Sequence, residues 1–169
     1  MNLLAHLYLA ETSHTSAAGQ ILGDMVKGRL EGRLDAYTEA GIRLHRSIDS
    51  FTDRHPITAE LKQQFAPPLR RYAGILVDIG FDYCLARRWP QYSDQSLASS
   101  AQAMVARARA EWPTHAPMPA RRLQGLDRVI AAYAQADGIQ RALDSVASRL
   151  RHPNPLAQAL PALLHHHAA

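Results

Sequence analysis

Two pairs of ionisable residues stand four positions apart in segments that otherwise read as buried: His45 and Asp49 in GIRLHRSIDSFTD, and Asp78 and Asp82 in GILVDIGFDYCLA. Residues at i and i+4 share one face of a helix, so each pair projects its side chains in one direction. Around the second pair, Ile75, Leu76, Val77, Ile79, Phe81, Cys84 and Leu85 leave little surface for water. An ionised carboxylate there is costly unless a cation or a hydrogen-bond donor meets it. A fold that accepts this chain therefore faces helices toward one another with something positive between them.

The remaining periodicity agrees. No stretch alternates apolar and polar residues as a half-buried strand does, and no Asn-Gly or Asp-Gly turn separates two strand-like runs. The spacing predicts an all-α protein with helices over about 2–12, 16–29, 35–54, 57–65, 68–89, 94–111, 119–136, 138–151 and 155–167. Pro56 suits a first helical turn, Pro67-Pro68 separates two helices, and Ser93 and Asp94 offer caps for the helix after WPQY. The clearest break is WPTHAPMP at 112–119. The roughly fifty residues after it are few for a core of their own, so residues 1–169 read as a single compact multi-helix domain. The tail LLHHHAA is assigned no function.

Composition narrows the setting. A 47% hydrophobic, 20% charged chain has the balance of a soluble globular protein. Its one cysteine, Cys84, excludes an intrachain disulfide and a cysteine-based zinc cluster, which favours a reduced, cytoplasmic location and a packing role for the thiol. MNLLAHLYLAETSH lacks the basic leader and cleavage site of a signal peptide, and no run reaches bilayer length, so the start reads as a core helix and no membrane is expected. Of 19 basic residues only Lys27 and Lys62 are lysine. With a net charge of +4, the arginine excess suits forked recognition of phosphate or carboxylate and an acidic partner. The basic residues do not interleave with aromatics, so no nucleic acid is expected.

His6 lies in the apolar N-terminal helix and Asp24 follows the apolar run AAGQILG. With His45, Asp49, Asp78 and Asp82 they offer six nitrogen or oxygen ligands from four helices, the way helical bundles build metal sites. A mixed imidazole and carboxylate shell without thiolate suits Mn, Fe, Zn or Mg, and its carboxylate majority leans toward Mn or Mg. Asp53, one turn beyond Asp49, reads as an orienting group or a solvated helix end. Arg46 beside His45, and Arg70 and Arg71 near the Asp78 helix, are placed to bind phosphate oxygens. His55, His115 and His152 sit beside prolines and read as solvated. No GxSxG elbow, HExxH helix, phosphate loop or dinucleotide fingerprint is present, which removes serine acyl transfer, zincin proteolysis and nucleotide-loop chemistry.

MNLLAHLYLA, GQILGDMVKG, AGIRLHRSIDSFTD, RRYAGILVDIGFDYCLARRW and VASRL, in this order, resemble the acyl carrier protein phosphodiesterase family from Met1 to about Leu150. The resemblance implies an all-helical fold distantly related to HD-domain phosphohydrolases, with a non-standard ligand arrangement because no adjacent His-Asp dipeptide occurs. It implies a manganese-dependent hydrolase that removes 4′-phosphopantetheine from holo acyl carrier protein. His6, Asp24, His45, Asp49, Asp78 and Asp82 fall on the family's motif positions as metal ligands. His45, Arg46 and Asp78 are the catalytic candidates, and Arg46, Arg70 and Arg71 the substrate-binding ones. Tyr83 stands where relatives carry histidine, and relatives run further at the C-terminus, so a last helix is expected to be missing. Two other readings stay open: a phosphohydrolase of a nucleotide or other small phosphodiester, and a non-catalytic helical adaptor for acidic proteins.

Overall fold

The computed structural model describes residues 2–167. Among them every regular element is helical: α1 Leu3–Thr12, α2 Ala17–Leu22, α3 Ala36–Arg54, α4 Pro56–Gln64, α5 Ala73–Arg87, α6 Leu97–Ala110, α7 Leu126–Ala131, α8 Ala136–Arg149 and α9 Leu160–His167. Short 3-10 turns link several of them. The last two residues of the LLHHHAA tail lie outside the described residues.

Local chemistry sets these boundaries. The Ser16 hydroxyl accepts from Gly19 N at 3.0 Å and opens α2, and the Asp35 carboxylate accepts from Thr38 N at 2.9 Å and opens α3. Pro56 occupies the first turn of α4. Ser96 caps α6 by accepting from Ser99 N at 3.1 Å, so that helix starts three residues later than a Ser93 cap and two later than an Asp94 cap would place it. Four other expected helices are shorter than their pattern, and those expected over 68–89 and 155–167 begin as 3-10 turns, with α5 and α9 starting only at Ala73 and Leu160. The one expected over 16–29 stops at Leu22, where Gly23 begins a run of turns and loop. The one expected over 119–136 breaks at Gly125, whose φ of +78° belongs to the left-handed region that glycine enters without strain.

The main core joins α1, α5, α6 and α8 through residues such as Leu4, Leu7, Leu76, Val77, Met104, Ile139 and Leu143, all buried. A smaller cluster of Leu22, Val26, Leu30 and Ile42 pins the 23–35 connection onto α3. That second cluster positions Asp24, because it fixes the loop on which the carboxylate stands. Among the described residues no helix is long and apolar enough to cross a membrane.

Candidate metal centre

The site begins with a close approach of two helices. A Cβ on Gly19 would lie 2.4 Å from Thr38 O and 2.8 Å from Gly41 Cα, so α2 meets α3 almost backbone to backbone. One turn on, a Cβ at Gly23 would lie 2.2 Å from His45 Cγ, so the His45 ring fills the space that a side chain there would take. The helical period then puts Asp49 one turn beyond His45 on the same face of α3. From α1, His6 lays its ring on that of His45, with centroids 4.0 Å apart and planes 20° from parallel.

Asp49 serves both rings. Its Oδ1 is 3.0 Å from His6 Nε2, and its Oδ2 is 3.1 Å from His45 Nε2. Asp24 Oδ1 stands 3.5 Å from the same His45 nitrogen. His45 is nevertheless poorly served. Both ring nitrogens are buried, and the ring orientation gives neither a directed hydrogen bond despite the short contact with Asp49. The electrostatic coupling is strong all the same. Burial works against the His45 imidazolium, and the Asp24 and Asp49 carboxylates more than reverse it, raising the pKa to about 9. His45 in turn lowers the Asp24 pKa. For Asp49, burial acts upward but His45 and His6 outweigh it and hold the carboxyl below the usual range.

These residues fit a divalent cation. One ligand atom each from His6, His45 and Asp49 lies within 4.8 Å of the other two, with both imidazoles buried and the carboxylate half-buried. Two imidazole nitrogens and carboxylate oxygens without thiolate are a donor set for a hard or borderline metal. The undirected nitrogens of buried His45 are the observation that favours an ion, since a buried polar atom without a partner costs stability.

The other sequence-selected residues are distributed around this cluster. Asp82 is buried in α5 and accepts from Leu4 N and Ala5 N, each at 3.0 Å, so it anchors the first turn of α1. Burial raises its pKa to about 7 against the opposing pull of those two amides. Asp78 is half-buried one turn earlier, and the three-residue cluster does not include it. Arg46 donates to Val26 O at 2.7 Å and Gly28 O at 2.9 Å, tying down the loop that carries Asp24. Arg70 is exposed and donates to Phe65 O at 3.2 Å, and Arg71 is exposed. Asp53 pairs with Lys62 at 2.8 Å, away from the rings. Tyr83 is buried and accepts from Arg87 at 2.9 Å. His115 and His152 are exposed, His55 is half-buried and caps α4, and Cys84 packs at the edge of the core, where burial raises its thiol pKa.

Three residues of the site escaped sequence reasoning. Gln20 Oε1 lies 2.9 Å from His6 Nδ1, and Gln20 stands four residues before Asp24, a spacing that would mark a shared face only in the longer helix expected over 16–29. Gly23 shapes the His45 pocket. Glu111, at the end of α6, accepts from Ala17 N at 2.7 Å and Ser16 Oγ at 3.1 Å, anchoring α2 from 94 and 95 residues away, and no local signal points to it.

Fold and cluster together define an all-helical protein with a buried histidine–carboxylate site able to take a cation. A model of the acyl carrier protein phosphodiesterase family matches residues 1–169, and the chain belongs to that family. A protein of Escherichia coli O157:H7 with this name is 34% identical over 175 aligned positions, covering all of this chain and 89% of that protein. One from Yersinia enterocolitica is 33% identical over 156 positions, covering 88% of this chain and 79% of the relative. One from Photorhabdus laumondii is 38% identical over 109 positions, 62% of this chain and 55% of the relative. No solved structure matches.

Proposed function

We propose that this protein hydrolyses the phosphodiester joining 4′-phosphopantetheine to the serine of holo acyl carrier protein, releasing the free arm and apo carrier protein. The full-length family match carries the reading, and the His6, His45 and Asp49 cluster supplies chemistry suited to it. In this reading His6, Asp24, His45 and Asp49 hold a divalent cation, manganese by family resemblance, with Mg2+ or Fe2+ as substitutes. Such an ion supplies Lewis-acid stabilisation of phosphodiester oxygens and activation of water at neutral pH.

The protein's own groups do the rest. Asp49 keeps the two imidazoles in register by facing both, and His45 holds a proton tightly enough to assist a departing serine oxygen when it is not a ligand. Arg46 uses two donations to fix the Asp24 loop, and its guanidinium has five N–H groups, which leaves others for a phosphoryl oxygen. Asp78 would be the carboxylate that extends the ligand set, and Asp82 acts through α1, whose end it holds. Arg70 and Arg71 help dock the partner. Carrier proteins are acidic, so the arginine-rich surface steers them and makes association fall with salt. The reading extends to a distant HD-domain relationship, supported by the helix-borne His and Asp set, and to the cytoplasm, supported by the single reduced cysteine.

Incubation with holo carrier protein and Mn2+, followed by intact mass spectrometry, tests it. Wild type removes the arm, whereas His45→Ala and Asp49→Ala, folded by circular dichroism, do not. Cleavage surviving in both variants refutes the site. Equal turnover of a small pantetheine phosphodiester refutes the need for a protein substrate.

A further inference from the structure

We propose that the groove between α5, α7 and α8 is a binding site for a fatty acid, with the alkyl chain laid along its floor and the carboxylate held by the arginines of its rim. The inference is independent of the hydrolytic reading, since none of His6, Asp24, His45 or Asp49 lines the groove. The cavity has a volume of about 520 Å³, within the roughly 300–1,000 Å³ of small-molecule sites. Its floor is aliphatic: Leu3 from the start of α1, Ile75 and Ile79 from α5, Leu126 from α7, and Ala142 and Val146 from α8. Small residues keep it open. Gly138 is pressed so close to Ala132 that a Cβ there would collide with Ala132 O, so no side chain projects from that end of α8. Val129 lines the same groove and is 47% exposed, an apolar side chain left in water on a wall that an alkyl chain would cover.

The charge of the wall is of one sign. Arg128, Arg141 and Arg149 line the groove and are exposed, whereas Asp127, Asp137 and Asp144 of the same two helices do not line it. Among the described residues none of these three guanidinium groups is paired with a carboxylate. Arg149 uses its Nε hydrogen on Ser145 O at 2.9 Å, which leaves both terminal nitrogens for a ligand. Arg128 folds back over Gly125, where a Cβ would lie 3.4 Å from its Nη2, so its guanidinium rests against the wall that Gly125 forms. Arg141 and Arg149 stand eight residues apart on α8, about 12 Å along the axis. A dianionic phosphate calls for donors that converge, and these are spread along an edge; a carboxylate is satisfied by one planar fork. A hydrocarbon floor under a cationic rim suits a ligand that is apolar along its length and anionic at one end. A pantetheine arm would bury its amides on this floor, whose side chains offer hydroxyls only at Tyr133 and Ser145.

The experiment titrates the full-length protein with dodecanoate below its micellar concentration, by isothermal calorimetry, beside octanoate, decanoate and uncharged dodecanol. Wild type binds dodecanoate saturably, and affinity climbs from octanoate to dodecanoate by up to about fourfold per methylene. Dodecanol binds about tenfold more weakly for want of a charge-assisted bond. Combining Arg128→Ala, Arg141→Ala and Arg149→Ala weakens dodecanoate about tenfold and leaves dodecanol unchanged. Ala142→Trp fills the floor and abolishes binding of both, and Val129→Trp, at an exposed position, takes its place if Ala142→Trp does not fold. Folded His45→Ala binds dodecanoate like wild type, which separates this site from the metal centre. No saturable binding by wild type overturns the proposal, as does a flat chain-length series, equal affinity for dodecanol, indifference to the arginine or tryptophan variants, loss of binding in folded His45→Ala, or displacement of dodecanoate by 4′-phosphopantetheine. A dimer in sedimentation that Val129→Asp disperses also overturns it, since a second copy then covers the groove.

Discussion

Replacing Gly23 with alanine tests whether the helix contact shapes the His45 pocket. Its backbone, φ −54° and ψ −38°, is ordinary helix, so alanine on its own is favoured there by about 1 kcal/mol. Packing decides otherwise. The new Cβ would stand 2.2 Å from His45 Cγ, 2.3 Å from Cδ2 and 2.7 Å from Cβ, where ordinary contact begins at 3.4 Å. The worst overlap is therefore 3.4 − 2.2 = 1.2 Å. No side-chain rotation removes it, because the His45 Cβ is fixed to α3 and the far side of the ring rests on His6 at 4.0 Å. The helices must part, and overpacking of this kind costs about 1–3 kcal/mol. With contacts this short we take the upper end, leaving a net loss of about 2 kcal/mol after the alanine preference. Urea denaturation of metal-free protein measures it, and Mn2+ titration should show at least tenfold weaker binding as Asp49 and His45 separate. Gly74→Ala is the control, since its nearest neighbour is Lys62 Cε at 3.7 Å, and it should be neutral or stabilising. A Gly23→Ala protein as stable as wild type, with unchanged affinity, refutes the reasoning.

Proton competition gives a second outcome: with the His45 pKa near 9, Mn2+ affinity should rise about tenfold per unit from pH 6.5 to 8.5, and a flat titration contradicts the assignment. Asp82 titrates in the folded state near 7 against 3.8 unfolded, so the folded protein binds the extra proton between those values. The stability it contributes is complete below pH 3.8 and lost as pH rises to 7, and Asp82→Asn should flatten that slope in urea melts across pH 4.5–7. Glu111→Ala removes the acceptor of Ala17 N and Ser16 Oγ and should cost about 1–3 kcal/mol, measured by thermal or urea unfolding.

How much of this was legible in the residues depended on range. The spacing of His45 and Asp49 fixes a shared face because both lie on one helix, and the all-helical class follows from the same period throughout. Asp78 and Asp82 have identical spacing, yet Asp82 meets the backbone of α1, since periodicity states which way a side chain points but not what lies opposite. Helix ends were less legible where glycine intervened, as at Gly23 and Gly125. Gln20 carried a faint signal, one polar side chain in AAGQIL a turn before Asp24. Glu111 carried none, because its partners are far away in the chain. The family resemblance supplied what spacing could not, namely a reaction.

The grip of Asp82 on Leu4 N and Ala5 N spans 78 and 77 residues of chain. During synthesis the segment bearing His6 emerges early, but the residue that seats it arrives only after α5 has been made, and closing so long a loop is slow. Nascent chains ending before that point own both imidazoles and still lack the clasp that seats the first of them. Ion capture would thus wait until α5, which ends at Arg87, has been made, and shorter nascent chains would lack it.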